Sequence, residues 1–409
     1  MINIVLVSNT CSNDYYKYLQ SVKIKDKINP SQKFFDLLVN GLNFIDKENI
    51  KITCLSARSI SRDDCKLKKL KENKETVNGI EYIYPKVKNK KLIRNIGNYI
   101  NGYNFAKKII KQNRKDGIQT IFIFDVLSYD IAAGAVKACK KQVFTCGIMT
   151  DIPSQMFAIG KGKKSIFGNL KLKLMNSLIN KFDSYCFLTE SMNVINTNNR
   201  PFTVIEGIVP YCEKELVKKG IVSNVVLYAG GLYEKFGLKS LVEACEKIED
   251  KLDFELHLYG EGNLVEYICK EEAKHKSIKY KGSVGLEEIL NLESNAKLLV
   301  NPRPAKEEFT KFSFPSKTME YMSSGRPLIT TKLGGIPEEY YKYCFVFDEE
   351  TPQQMAEKLY SVLNMSEKEL TEIGERAYKF VGKNKNNRIQ AEKLWKFVIA
   401  ESRKKHLSC

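Results

Sequence analysis

The 409-residue sequence lacks the features that would assign it to a membrane-spanning, disulfide-bonded or zinc-binding class. No run approaches the roughly 18 consecutive apolar residues that a membrane span requires. Its eleven cysteines form no Cys-x-x-Cys pair, and only three histidines are present. The chain begins on an apolar strand pattern, Ile2–Val7, without a basic segment or a cleavage site. We therefore expect a cytoplasmic globular protein whose cysteines are mostly small buried residues.

Negative charge is scarce in one half of the chain only. Residues 1–200 hold 34 lysines and arginines against 16 aspartates and glutamates, whereas residues 201–409 hold 32 of each kind. A general bias toward lysine would affect both halves, so we expect the first half to face an anionic partner. The basic half carries no recognised nucleic-acid-binding motif, and we expect no nucleic-acid partner.

Apolar runs typical of buried strands alternate with helical patterns, which predicts an α/β fold with doubly wound parallel sheets. The first set of runs ends near Leu188, a charged stretch follows at 211–220, and a second set begins at Val225. We therefore predict two Rossmann-like domains, over residues 1–206 and 207–386.

The most informative segment is 301–337. A strand runs into a proline-rich loop, after which a helix is predicted with Ser313 as its N-cap, Pro315 in its first turn and Gly325 at its C-terminal end. A second strand at 327–330 leads into a glycine turn. This succession of a strand, a helix start, a second strand and a glycine loop is the arrangement with which α/β folds hold a nucleotide diphosphate.

Residues 314–327 also carry the string Phe-Pro-Ser-Lys…Glu-Tyr-Met…Gly-Arg-Pro. This string resembles the donor-binding region of family 4 retaining glycosyltransferases, in the branch that makes bacterial capsular and exopolysaccharides. The resemblance implies the GT-B fold, in which two Rossmann-like domains face a cleft and a terminal helix, here about 387–409, packs back on the first domain. It also implies transfer, with anomeric retention, of a sugar from a nucleotide diphosphate donor, most often UDP, to a lipid-linked saccharide at the inner membrane face.

Cationic side chains are expected to neutralise the departing diphosphate, because the sequence has no Asp-x-Asp motif to hold a divalent metal. Lys235 follows Gly230 and Gly231, whose lack of a side chain lets the backbone approach a ligand. The family pattern has an arginine where this chain has Gly231, and we expect Arg303 to supply that charge. We predict no metal and no cofactor besides the nucleotide-sugar co-substrate.

Glu320 lies inside the predicted helix, and the resemblance implies that it accepts hydrogen bonds from both ribose hydroxyls of the donor. A carboxylate suits this role because it offers two acceptor oxygens. Ser316 and Lys317 are donor-binding candidates at the helix start. The family has a further glutamate eight positions before Glu320, where this chain has Phe312. The remaining donor-binding candidates are glycines in two turns, Gly260, Gly262, Gly334 and Gly335.

Three further candidates lie in the first domain or at its predicted boundary with the second. Asp151 follows the predicted strand Val143–Met149, whose carboxyl end should face the ligand crevice. With Lys235 and Glu320 it completes the catalytic candidates, although a turn role before proline explains Asp151 equally well. Glu206 and Gly207 are expected to form an interdomain hinge with a cleft contact.

Two stretches of the basic half, 86–115 and 161–182, are amphipathic. In the first, the apolar stripe comprises Leu92, Ile96, Tyr99, Tyr103, Ala106 and Ile110. Such helices either lie on an anionic membrane surface or face the core with their lysines in solvent.

A non-catalytic GT-B subunit that supports a partner glycosyltransferase is the alternative to an enzyme. The arginine and the first glutamate missing from the family pattern favour it, and the retained Lys235 and Glu320 oppose it.

Overall fold

The computed structural model describes residues 1–24, 30–46, 48–60, 63, 65–140, 142–153, 166–212 and 223–407. The chain divides into two compact units, of which the first comprises Met1–Ile208 with Asn387–Cys409 and the second comprises Val209–Asn386. The division falls after Ile208, two residues beyond the predicted boundary, and the final helix belongs to the first unit. Glu206 and Gly207 therefore both lie in the first unit.

The helices of the described ranges occur in both units. In the first they are α1 Asn13–Ser21, α2 Pro30–Leu42, α3 Lys91–Lys115, α4 Tyr129–Cys139, α5 Ile166–Ile179 and the terminal α12 Asn387–Leu407. In the second they are α6 Leu238–Glu246, α7 Val265–Glu272, α8 Leu286–Asn295, α9 Ser316–Ser323, α10 Pro352–Leu363 and α11 Glu367–Asn384. None of them combines the length and the apolarity that crossing a membrane would require.

The first unit is built on an eight-stranded sheet with the order β10-β9-β8-β7-β1-β2-β5-β4. Its strands are β1 Ile2–Ser8, β2 Ile50–Ser56, β4 Asn73–Val77, β5 Ile80–Tyr84, β7 Gln119–Asp125, β8 Phe144–Met149, β9 Ser184–Phe187 and β10 Phe202–Val204. Neighbouring strands pair in parallel except β4, which runs antiparallel to β5. A separate ribbon pairs β3 Lys69–Leu70 with β6 Val87–Lys88.

The second unit is a six-stranded parallel sheet with the order β13-β12-β11-β14-β15-β16. Its strands are β11 Val225–Ala229, β12 Glu255–Tyr259, β13 Ile278–Gly282, β14 Leu298–Asn301, β15 Leu328–Thr331 and β16 Phe345–Phe347. The strand order reverses between β11 and β14, and doubly wound sheets bind their ligands at such a point. The predicted α/β fold with two Rossmann-like parallel sheets is confirmed.

Strands at the centre of each sheet are covered on both faces, which explains their continuous apolar runs. Ile4–Val7 of β1 are at most 1% exposed, and Leu298–Val300 of β14 are fully buried. In the first unit, α12 packs on α2 at Gly41, where a Cβ atom would lie 2.0 Å from the Asn387 carbonyl oxygen. Glycine at this position therefore permits the close approach of the two helices.

Helix α3 is rotated differently from the predicted apolar stripe. Ala106 and Ile110 are buried as expected, but Leu92 and Ile96 are 71% and 59% exposed. The cause is a close crossing with α4, in which a Cβ atom on Gly102 would lie 2.1 Å from the Ile131 carbonyl oxygen. Residues at intervals of four from Gly102, such as Ala106 and Ile110, consequently face inward.

The second amphipathic stretch, 161–182, falls partly outside the described residues, which omit 154–165. Of its apolar side chains, Leu178 is buried and Leu174 is 47% exposed. The alternatives for this stretch stay open.

Candidate functional site

The loops after β11 and β12 are joined to each other at the carboxyl edge of the second sheet. The Gly230 amide donates to the Tyr259 carbonyl (3.0 Å), and a Cβ atom on Gly260 would lie 1.8 Å from the Gly230 carbonyl oxygen. In the same way, Gly262 sits where a Cβ atom would be 2.0 Å from the Leu232 carbonyl oxygen. These glycines allow two backbone loops to pack without intervening side chains.

The loop after β11 also contacts the loop after β14. Gly237 has a left-handed φ of 76°, and a Cβ atom there would lie 2.0 Å from the Pro302 carbonyl oxygen. The short 3₁₀ turn Glu234–Phe236 is thereby held against the Asn301–Pro304 loop. This contact brings together the two cationic candidates that the sequence placed 68 residues apart.

Lys235 and Arg303 share one aromatic platform. The Arg303 guanidinium lies 4.8 Å from the ring centre of Phe236, and the Lys235 ammonium lies 5.1 Å from the same ring. Phe309 is 5.8 Å from Arg303 and 5.9 Å from Lys235. Cation–π attraction holds the two positive charges near each other despite their mutual repulsion, so an anion placed beside both would be stabilised.

Helix α9 begins two residues later than predicted and without the predicted cap. Pro315 occupies the N-cap position and no side chain caps the helix, while Ser313 ends the preceding 3₁₀ turn. The prediction for Ser313 was wrong because Ser313 ends the 3₁₀ turn Glu308–Phe312 and lies two residues before the N-cap position of α9. The exposed Ser316 thus starts a helix whose positive dipole end has no capping side chain.

Tyr321 fixes α9 to the end of β11. Its buried hydroxyl accepts from the Ala229 amide at 2.9 Å and lies 3.3 Å from the Ala229 carbonyl oxygen. The helix is therefore anchored directly beside the loop that carries Lys235.

Glu320 and Lys317 are partly buried and form a charge cluster with the fully buried Glu293 of α8. The Lys317 ammonium lies 3.1 Å from the Glu293 carboxylate and also pairs with Glu320. Burial raises the pKa of Glu293, although the Lys317 charge opposes the shift. Burial works against the charge of Lys317, but the Glu320 and Glu293 carboxylates raise its pKa above the ordinary value. Lys317 thus neutralises carboxylates in this structure.

Glu293 was not among the site residues predicted from the sequence. Its side chain is fully buried and lies four residues after the buried Ile289, on the apolar side of α8. A glutamate on the core face of an amphipathic helix is the signal that identifies such a residue, because an isolated charge there is costly.

Glu320 faces a cavity of about 760 Å³ in the second unit. Leu290 of α8, Ser323 of α9 and Tyr378 of α11 line it, as do Val209 and Pro210. Its lining is largely apolar with a few polar groups, which is typical of a small-molecule site.

The other candidates occupy separate places. Gly335 packs on the 3₁₀ turn, where a Cβ atom would lie 2.4 Å from the Ser313 carbonyl oxygen, and Gly334 lies against Lys311. In the first unit, Asp151 follows β8 and accepts from the Ile152 amide at 2.8 Å. Glu206 of that unit is 3% exposed.

One group within the described ranges could offer three ligands to a metal ion, namely Glu246, Glu271 and His275. The His275 Nδ1 is 2.7 Å from Glu249, and that hydrogen bond raises the pKa of the imidazole. The surrounding carboxylates therefore favour the protonated form of His275. None of the donor-site candidates belongs to this group.

Comparison with protein-family models gives a match over the part of the chain that carries the donor-site candidates. Residues 223–365 match the family model described as "Glycosyl transferases group 1". No curated protein matches the chain significantly.

Solved structures match along almost the whole chain. Sucrose-phosphate synthase from Thermosynechococcus elongatus superposes with a TM-score of 0.64 at 14% identity, covering 98% of this chain and 100% of that one. An α,α-trehalose-phosphate synthase (UDP-forming) from Burkholderia xenovorans gives 0.63 at 10% identity, over 97% and 100%. HepE from Anabaena, in complex with UDP, gives 0.60 at 12% identity, over 98% and 100%. At these identities the likeness establishes the fold, which is GT-B, and residues 223–365 of the second unit match the glycosyl transferases group 1 model.

Proposed function

We propose that the protein is a glycosyltransferase whose second unit binds a nucleotide diphosphate sugar. The observation that carries this proposal is the pair of cations, Lys235 and Arg303, on the shared ring of Phe236. They lie in the loops after β11 and β14, on either side of the point where the strand order reverses. Both positions fall within the segment that matches the glycosyl transferases group 1 model.

The chemistry follows from charge. When the bond from the sugar to the diphosphate breaks, negative charge develops on the leaving group, and fixed cations stabilise it more than they stabilise the ground state. Lys235 and Arg303 supply two such cations, and the uncapped start of α9 supplies backbone N–H groups. Glu320, at the edge of the cavity, accepts hydrogen bonds from the ribose hydroxyls.

The finer proposal is a UDP-sugar donor, anomeric retention and no divalent metal. The acceptor is a lipid-linked saccharide in capsule or exopolysaccharide synthesis, and the enzyme works at the inner face of the cell membrane. The motif at 314–327 and the positive charge of residues 1–200 support this proposal. Asp151, at the end of β8, is the first-unit candidate for contact with acceptor or sugar hydroxyls.

A panel of nucleotides and nucleotide sugars, tested by thermal shift and by release of nucleoside diphosphate, tests the function. UDP and a UDP-sugar should raise the melting temperature, because a ligand that binds only the folded state stabilises it by mass action. Lys235→Ala should lose most of that shift, whereas Lys306→Ala, an exposed lysine in the same region, should keep it. If no nucleotide raises the melting temperature, the proposed function fails. Binding without release in the presence of lipid-linked acceptors would favour the non-catalytic subunit.

A further inference from the structure

The rotation of α3 is fixed by its crossing with α4. A Cβ atom on Gly134 would lie 1.9 Å from the Tyr99 carbonyl oxygen, so the two helix backbones touch there. On the inward face, Arg94 is 9% exposed and donates to the Asn89 side chain (2.9 Å) and to the Ile60 carbonyl (2.7 Å). These contacts hold a polar and small-residue face of α3 inward.

The opposite face of α3 is consequently aliphatic and exposed. Leu92, Ile93, Ile96 and Ile100 are 71%, 48%, 59% and 49% exposed. Leu92, Ile96 and Ile100 recur every four residues, so they form one stripe over the first turns of the helix. Large aliphatic side chains scattered singly on a surface are common, but four contiguous ones mark an interaction site.

The β3–β6 ribbon leads directly into this helix and is strongly basic. Lys69 and Lys88 are paired directly opposite each other across the ribbon, and both are exposed, as are Lys68 and Lys86. Like charges at directly opposed strand positions destabilise a pair of strands. The Asn89 amide donates to the Lys68 carbonyl at 2.9 Å, which ties the ribbon to the start of α3.

We propose that the exposed stripe of α3 inserts into the headgroup region of an anionic lipid bilayer, with the lysines of the β3–β6 ribbon on its phosphates. Aliphatic side chains beside exposed lysines, for which no ion pair is found among the described residues, fit such a surface, which offers anionic headgroups next to hydrocarbon. A second copy of the chain would bring the same lysines together and increase their repulsion. A nucleic acid offers no hydrocarbon to the stripe. The inference rests on the proposed function only in taking the acceptor to be lipid-linked.

Flotation of the full chain with vesicles tests the inference, using phosphatidylcholine alone and phosphatidylcholine mixed with phosphatidylglycerol. The wild type should float with the mixed vesicles only, and added salt should release it. The double variant Lys69→Gln, Lys88→Gln should have a roughly 30-fold lower partition coefficient between vesicles and water. This value follows from the usual contribution of each lysine near an anionic surface to the binding free energy. Ile96→Ser with Ile100→Ser should abolish flotation.

Matched controls come from other parts of the chain. Lys247→Gln with Lys251→Gln removes two exposed charges from the second unit, and Val194→Ser removes an aliphatic side chain that is 68% exposed in the first. Both controls should float as the wild type does. Melting temperatures and UDP affinity of the test variants should equal those of the wild type, which excludes misfolding.

Three outcomes would overturn the inference. The first is that the wild type does not float, and the second is that either double variant floats as well as the wild type. The third is that the Ile96→Ser, Ile100→Ser variant changes its oligomeric state in lipid-free solution, which would assign the stripe to contact with a second copy. Flotation as expected together with no affinity for UDP would leave the docking surface in place and refute the donor site instead.

Discussion

The fully buried carboxylate of Glu293 lies 3.1 Å from the ammonium group of Lys317, and Lys317 pairs in turn with Glu320. Two carboxylates and one ammonium group in this partly buried cluster cannot all be charged without leaving net negative charge there. Burial resolves this by raising the pKa of Glu293, so that its proton is retained at higher pH. Lys317 is then left to pair with Glu320.

Glu293→Gln should change how stability depends on pH. A carboxyl group whose pKa is raised on folding binds more protons in the folded than in the unfolded state, so stability falls as pH rises from 4.5 through the folded-state pKa. Each unit of elevation corresponds to about 1.4 kcal/mol. The variant, which cannot ionise, should lose this slope in urea unfolding measured across pH. Glu287→Gln, on the exposed side of the same helix, should keep it, and an unchanged slope in the Glu293 variant would contradict the assignment.

Glu320→Gln should weaken binding of UDP and of uridine alike, because the proposed contact is to the ribose. Hydrogen bonds to a charged group contribute roughly 1.5–3 kcal/mol each, so affinity should fall at least tenfold. Titration calorimetry measures both ligands. Glu308→Gln, an exposed glutamate before the helix, is the charge-matched control and should bind normally. Equal affinity in the wild type and the Glu320 variant would remove Glu320 from the donor site.

Lys235→Ala and Arg303→Ala should weaken UDP binding but leave uridine binding unchanged, because these side chains are proposed to contact phosphate. The two cations share the ring of Phe236, so their effects should not be additive in a double-mutant cycle. The same calorimetric titrations, repeated with the double variant, measure the coupling. Additive losses would mean that the two side chains act on different groups of the ligand.

The strands and the donor segment were predictable because the residues that determine them are close together in the sequence. Continuous apolar runs such as Leu298–Val300 are buried on both sheet faces, and the string at 314–327 places Glu320 one turn into α9. The rotation of α3 was not predictable, since it depends on backbone contact between Gly102 and a different helix.

The position of Glu293 on the core face of α8 marks it as unusual, but its ion pair could not be identified from local pattern, because its partner Lys317 is on another helix. The capping of α9 depended on a 3₁₀ turn that takes up the residues before Ser313. For the rotation of α3 and for the pairing of Glu293, the deciding contact joins segments far apart in the chain, so no periodicity in the sequence indicates it.

Turnover should survive excess EDTA. The sequence has no Asp-x-Asp motif, and Lys235, Arg303 and the start of α9 are proposed to neutralise the diphosphate. Release of UDP from the donor, measured with and without the chelator, gives the answer. Complete loss that magnesium or manganese restores would show that a divalent ion carries out this neutralisation.

Gly237→Ala should destabilise the protein more than Gly282→Ala, although both glycines have left-handed φ values, of 76° and 70°. A side chain in this conformation costs about 1–2 kcal/mol at either position. At Gly282 an added Cβ atom meets nothing within 4 Å, whereas at Gly237 it would lie 2.0 Å from the Pro302 carbonyl oxygen. Only the Gly237 variant must therefore displace the loop that carries Arg303. Urea unfolding should show the larger loss for Gly237→Ala, and its UDP affinity should fall while that of Gly282→Ala is unchanged. Equal unfolding free energies in the two variants would mean that the loops after β11 and β14 are not in contact, and the pairing of Lys235 with Arg303 would fail with them.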